Sequence, residues 1–152
     1  MIKSILKWLG ITLAIIVLFF VLLGVFIGYN AAKYEKTAVP YINEAMPALS
    51  TWDPQEFRNY LHPAVSEGIA DEEFEKMARW FSRLGSLVKF EEPQFQSVSK
   101  SATTELGGHT IIHYQLSAEY ENGTALIAIQ LIEKDDQLSL YSFKLNSDAL
   151  FE

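Results

Sequence analysis

The chain contains no cysteine. That excludes a disulfide framework, a thiol nucleophile and a thiolate metal site. It fits either side of a membrane, because a domain of about 120 residues supplies a core without disulfides. Catalytic signatures are missing as well. There is no P-loop, no dinucleotide fingerprint, no H-E-x-x-H and no G-x-S-x-G elbow. No residue set for a catalytic, cofactor or metal site is therefore expected. Basic residues are scarce beside acids, 12 against 19, and the net charge is -7. Lys3 and Lys7 lie at the extreme N-terminus, so the chain beyond residue 30 carries 10 basic residues, 19 acids and a net charge of -9. Such a surface repels nucleic acid and anionic headgroups over most of its extent. A nucleic-acid partner is not expected. A basic or peptidic partner fits better, and solubility is the plainer use of the charge.

Charge is also absent from Leu9 to Gly28, LGITLAIIVLFFVLLGVFIG. A helix of this length is about 30 Å long, the thickness of a bilayer's hydrocarbon core. The run is longer than the roughly 7 to 15 residues of a signal-peptide core. Tyr29 and Asn30 stand two before Ala31 and Ala32, so the small-x-small cleavage pattern is missing. The reading is an uncleaved anchor over residues 1–30, with lipid against residues 9–28, and one domain over residues 31–152. Lys3 and Lys7 favour a cytoplasmic N-terminus, and Lys33 and Lys36 on the other side make that bias small. The domain is expected outside the cytoplasm, the alternative being a domain held on the cytoplasmic face. Gly24 and Gly28 form a G-x-x-x-G pair, a candidate helix–helix contact whose plainer reading is packing tolerance.

Apolar spacing predicts a helix over residues 31–46, with Pro40 kinking it or starting a new one and Pro47 closing it. Asp53 should cap a short helix that opens with Pro54. Residues 71–84 form an amphipathic helix, acidic at its start and basic at its end, with Gly85 as C-cap. From residue 86 the period becomes two. Residues 86–99 read as one interrupted strand or two short ones around Pro93. Gly107-Gly108 marks a turn, followed by strands over 110–121, 124–133 and 137–146, with a hairpin at Asn122-Gly123. The fold class is α+β: helices packed on one side of a curved antiparallel sheet of about four strands. The other face of that sheet holds Ile111, His113, Gln130 and Lys144, a shallow groove or partner surface.

Chemistry-bearing side chains are dispersed. His109 and His113 lie on one strand about 13 Å apart at roughly 3.3 Å per residue, too far to share a metal. His62 precedes Pro63 at a helix junction. Asp53, Glu67, Glu91 and His113 are the acid–base candidates, and nothing in their spacing brings them together. Tyr60, Trp80, Tyr114, Tyr120, Tyr141 and Phe143 are core or pocket-lining candidates, with dense packing as the plainer reading.

The helices ending at Trp80 to Gly85, followed by strands with an Asn-Gly hairpin, resemble the nuclear-transport-factor-2-like or cystatin-like superfamily. The anchor, the tract Pro40 to Asp53 with Trp52-Asp53-Pro54, the Phe74 to Leu84 helix and the strand Ser142-Phe143 to Ser147 are similar to small bacterial inner-membrane proteins of unknown function. The resemblance implies a single-pass inner-membrane protein with a periplasmic domain. Enzymes of the superfamily resemble isomerases or dehydratases, but no catalytic residue of theirs maps onto a numbered position here. The expected function is a noncatalytic interaction or assembly domain, with a protein partner or a homo-oligomer. The alternatives are a small-ligand or lipid-binding accessory protein and an isomerase-like enzyme.

Overall fold

The computed structural model describes residues 8–151, with the helical backbone of residues 2–7. The side chains of Lys3 and Lys7, on which the orientation rests, lie outside the described residues. The chain divides into two compact units, one reaching Tyr34 and one starting at Glu35.

The first unit is helical and belongs to α1 (Ile2–Leu49). Every residue from Trp8 to Tyr29 is exposed, including Leu13 at 63% and Phe20 at 62%. An apolar surface of this extent is not left to water. α1 is long and apolar enough to cross a membrane. A helix satisfies its own backbone polar groups, so this segment needs nothing from the lipid around it. It is a single membrane-spanning anchor.

The second unit begins with the last turns of α1. Ala38, Ile42, Ala45, Met46 and Leu49 are buried at spacings of three and four, the periodicity of one helix face. α1 runs through Pro40, where a kink or a new helix was expected, and through Pro47, which was expected to close it, and ends at Leu49. Both prolines are exposed. Their missing hydrogen bonds therefore fall on the side where water satisfies the freed carbonyls. Then follow α2 (Pro54–Tyr60), α3 (Pro63–Ser66) and α4 (Asp71–Phe81). The Asp53 side chain caps α2 by accepting from the Gln55 N–H at 2.8 Å. α4 buries Phe74, Ala78 and Phe81, and a 3-10 turn over Ser82–Leu84 leads to Gly85.

Five antiparallel strands complete the unit: β1 (Leu87–Phe90), β2 (Gln94–Thr103), β3 (Gly107–Tyr120), β4 (Gly123–Lys134) and β5 (Gln137–Asn146). β1 and β2 both pair with the same strand, β3, which pairs with β4, and β4 with β5. Pro93 lies in the break between β1 and β2, so the interrupted reading resolves into a short β1 and a longer β2 that runs on to Thr103, both paired with β3. Gly107 and Gly108 are the first residues of β3 and pair with Thr103 and Ala102, so the turn sits just before them.

The sheet is open and uncurled, which corrects the curved sheet inferred from sequence. It also removes the resemblance to the nuclear-transport-factor-2-like and cystatin-like superfamily. The physical reason is visible in the register. The central β3–β4 ladder runs unbroken from Thr110↔Glu133 to Tyr120↔Gly123. Irregularities fall only where outer strands join, at Leu87/Lys89, Phe95/Ser97 and Gln130/Leu131. Bulges bend the strand that carries them, and here none interrupts the centre. β5 is not paired back to β1 or β2, so the sheet stays open.

The bulge at Gln130/Leu131 also changes a face assignment. Alternation groups Tyr141, Phe143 and Leu145. The register instead puts Leu140 opposite Leu131 and Phe143 opposite Ile129, with Tyr141 as the extra residue. Leu140 and Phe143 thus share the core face. The helices reach the sheet on that face, through Phe57 and Phe81 against Phe143, at 5.3 and 6.4 Å between ring centroids.

One corner locks these layers together. Trp52 stands in a left-handed conformation, φ 60°, just past the end of α1. Its indole N–H donates to the Gly85 carbonyl at 2.8 Å. Its ring lies 5.9 Å from Phe81 and 5.3 Å from Tyr120. Gly85 has φ 77° and ψ -158°, a region essentially reserved for glycine. A Cβ there would meet Glu121 Oε2 at 2.7 Å and Glu121 Cβ at 2.9 Å. Gly85→Ala is therefore expected to destabilise the domain by about 1–3 kcal/mol, measured by urea unfolding of the detergent-solubilised chain; a change within about 0.5 kcal/mol, the size of an ordinary surface substitution, would show that the corner relaxes freely.

Candidate functional site

The four sheet residues singled out from sequence lie on the sheet face opposite the helices, while Gly24 and Gly28 lie in α1. His113 and Gln130 are direct partners across β3–β4. Ile111 is two residues from His113 and pairs with Ile132. Lys144 pairs with Ala128, one step along from Gln130 and Ser142. All four therefore share one face, because side chains two apart on a strand point the same way. They are not equally accessible. Ile111 is buried, His113 and Gln130 are half-buried, and Lys144 is exposed. The accessible part of the face lies toward Lys144, where Leu126, Ala128 and Asn146 are also exposed. Leu126 and Ala128 were not singled out from sequence. Their signal is the strict alternation of β4, where Ala125, Ile127 and Ile129 are buried and the residues between them face outward.

Along β2 the same face carries Ser97, Ser99 and Ser101, paired with His113, Ile111 and His109. It is a surface of hydroxyls, amides and imidazoles with a few aliphatic side chains. His109 is buried, and its Nδ1 lies 3.0 Å from the Gly107 carbonyl. His62 caps α3, its Nδ1 accepting from the Ala64 N–H at 3.3 Å. Among the described residues no group of three His, Asp or Glu side chains gathers into a metal cluster. Asp53, Glu67, Glu91 and His113 are not brought together, and Asp53 is occupied as the α2 cap. A Cβ added at Gly24 or Gly28 would meet nothing within 4 Å outside the helix's own backbone.

The helix-covered face is packed where a pocket was considered. Tyr114 and Ile129 are each 2% exposed. An open groove of about 730 Å³ lies elsewhere, lined by Trp52, Ser86, Val88, Lys89 and Phe90 among others. The Tyr120 hydroxyl shares a 3.1 Å hydrogen bond with the Ser50 hydroxyl. Burial raises the Tyr120 pKa, and that bond opposes the rise. The Tyr114 hydroxyl is buried without a hydrogen-bond partner among the described residues. Burial, with a smaller contribution from the Glu35 charge, pushes its pKa up to about 12.

No family model matches this sequence, and no curated protein matches it. Among solved structures the chain is similar to Aln2 from a Streptomyces species, at 13% identity and a TM-score of 0.41. The match spans 78% of this chain and 93% of that one. A likeness of that size transfers no activity. The chain's own geometry carries the functional reading.

The orphaned hydroxyl gives a test of the packed face. Tyr114→Phe removes a buried, unpaired polar group and is expected to stabilise the domain by about 1 kcal/mol. The folded-state pKa lies above the unfolded value, so the stabilising difference is intact below pH 10 and is lost as pH rises toward about 12. The Phe variant should show a shallower loss of stability over that window in urea titrations at stepped pH. A destabilised variant, or an unchanged alkaline slope, would mean that the hydroxyl is satisfied in solution.

Proposed function

We propose that the chain is a membrane-tethered, noncatalytic interaction domain that binds a protein through the sheet face around His113, Gln130, Ala128 and Lys144. The observation that carries this reading is the sidedness of the sheet: the helix contacts gather on the core face, while Leu126, Ala128, Lys144 and Asn146 stand exposed on the other. Flat faces of mixed polar and aliphatic side chains suit protein contact better than capture of a small molecule, which needs a concave site. The setting we propose is a bacterial envelope, with residues 1–30 as a single-pass anchor, the N-terminus cytoplasmic and residues 31–152 periplasmic. The partner is another envelope protein or a second copy of the chain, and Gly24 and Gly28 offer a further helix–helix contact in the membrane. A small-ligand reading is less favoured, because Tyr114 and Ile129 are enclosed and the groove at Trp52 is open.

Photocrosslinking in intact membranes tests the reading. A photoreactive residue at Ala128 or His113 is expected to give a discrete heavier adduct, and one at the exposed Asn59 of α2 is not. Ala128→Arg should reduce the His113 adduct at least about fivefold while changing stability by no more than about 0.5 kcal/mol. Recovery of the monomer alone from both sheet positions would sink the proposal.

A further inference from the structure

The chain is acidic, and it has one basic stretch. Residues 76–90 carry Lys76, Arg79, Arg83 and Lys89 and no acid. On α4 and the 3-10 turn after it, Lys76, Arg79 and Arg83 recur at spacings of three and four, so they share one face. All three are exposed, and none makes an ion pair among the described residues. With Trp80 they line a shallow depression of about 420 Å³ that has no acidic side chain in its wall.

An apolar pair stands beside the cations. Trp80 is 39% exposed and Phe151 is 75% exposed. The two rings meet edge to face at 5.9 Å, and Trp80 stacks on the buried Phe81 at 5.6 Å. Arg83 holds the C-terminal segment here by donating to the Leu150 carbonyl at 3.0 Å. That bond uses one of the five N–H donors of its guanidinium. All these residues belong to the second unit, so the patch is formed within that unit alone.

The size of the patch and the charge around it select its occupant. Lys76 and Arg83 are seven residues apart, roughly 10 Å along a helix axis. Acids bound the patch on the same helix, at Asp71, Glu72 and Glu73 in the first turn of α4 and at Glu75 one turn before Arg79. A nucleic acid or an anionic lipid surface extends well beyond 10 Å and would meet those acids. A short acidic segment satisfies the cations and stops before it reaches them. The Trp80–Phe151 pair asks in addition for an apolar side chain among the acids of that segment. We propose that the Lys76–Arg79–Trp80–Arg83–Phe151 patch binds an acidic segment of a partner protein, with Asp or Glu side chains on either side of one aromatic or large aliphatic residue. The patch belongs to the helix layer, and the inference is independent of the sheet-face reading. An exposed ion pair multiplies affinity by at most about fivefold, so three give at most about a hundredfold. The site is therefore weak, with a dissociation constant of about 0.1–1 mM, and sensitive to salt.

Fluorine NMR tests the proposal on the full chain, labelled with fluorotryptophan and held in phosphocholine detergent micelles. The tryptophans are Trp8, Trp52 and Trp80. Trp80→Phe assigns the Trp80 signal, and Trp52, bonded to Gly85, reports that the domain is folded. The probe is a short synthetic peptide with glutamates on both sides of one phenylalanine. The expected result is a shift of the Trp80 signal with a dissociation constant below about 1 mM, while the Trp52 signal stays in place. Salt at about 0.5 M, where the screening length falls to about 4 Å, should weaken binding at least about fivefold. Lys76→Gln/Arg79→Gln should do the same with the Trp52 signal unchanged. Serine in place of the peptide's phenylalanine should weaken binding severalfold, and glutamines in place of its glutamates should abolish it. No Trp80 shift up to about 1 mM peptide, an equal shift from the glutamine peptide, binding that survives salt, or a stronger response to an oligothymidylate of equal charge or to anionic micelles would overturn the proposal.

Discussion

The second unit depends on the closure of its Trp52 corner. The indole donates to Gly85, the residue that stops the 3-10 turn after α4, and its ring packs on Phe81 and Tyr120. Three segments far apart in sequence thereby share one contact. The neighbouring bonds reinforce it. Asn122 donates through its side chain to the Arg83 carbonyl and through its backbone N–H to Leu84, at 2.8 and 3.0 Å. The Ser86 N–H donates to Glu121 at 2.9 Å. The β3–β4 turn is thus held against the chain segment that leaves α4. A hydrogen bond of this kind adds only about 1 kcal/mol net, so the corner's stability comes from several bonds and the Trp52 packing acting together. The geometry is consequently hard to replace piecemeal. Trp52 adopts a positive φ, so the corner stores backbone strain that its packing must offset, while Gly85 takes its positive φ without that cost.

Once that corner is closed, the helices have one face of the sheet to cover and one only. The central β3–β4 ladder is long and regular, and the bulges lie where outer strands join. β5 is partly blunted by Leu61, which forms an isolated bridge to Leu140, and by the His62 N–H donating to the Leu140 carbonyl at 2.8 Å. β2 defends its outer edge differently, with a bulge, a lysine at Lys100 and Pro93 just before it. These devices discourage further strand pairing. They leave side-chain surfaces, rather than sheet edges, as the natural means of contact.

Much of this was legible in residue patterns. The apolar run, the Asp53 cap, the α4 stripe and the strands from β3 to β5 follow from periodicity and turn chemistry. The misses each have a physical cause. Pro40 and Pro47 look like breaks in one dimension, but their exposure to water makes them tolerable. The Asn122-Gly123 signal marked the hairpin for an incomplete reason. Gly123 is a strand residue paired with Tyr120, and a Cβ there would meet Ala149 Cβ at 2.8 Å. Tyr141 looked like a core residue because a bulge inserts one residue without disturbing the composition of the strand. Curvature is not written in alternation at all, since a period of two specifies which face is buried and not how the sheet bends. The register puts Ile111, His113, Gln130 and Lys144 on one face, and their unequal exposure depends on neighbours that only the register supplies. The basic stretch at residues 76–90 was readable as a local reversal of sign. Read only as helix-end charge, it hid the aromatic pair that Phe151 completes from the far end of the chain.

The distribution of chemistry then follows from the tether. A free binding protein must overcome the translational entropy of association, which demands a deep or extensive interface. A chain fixed in a bilayer shares its membrane with its partners and with lipid, and its effective concentration toward them is high. Shallow, weak surfaces suffice under that condition. On the proposed reading, a half-buried sheet face of serines, glutamine and histidine needs only weak contacts, because the anchor has already removed most of the search.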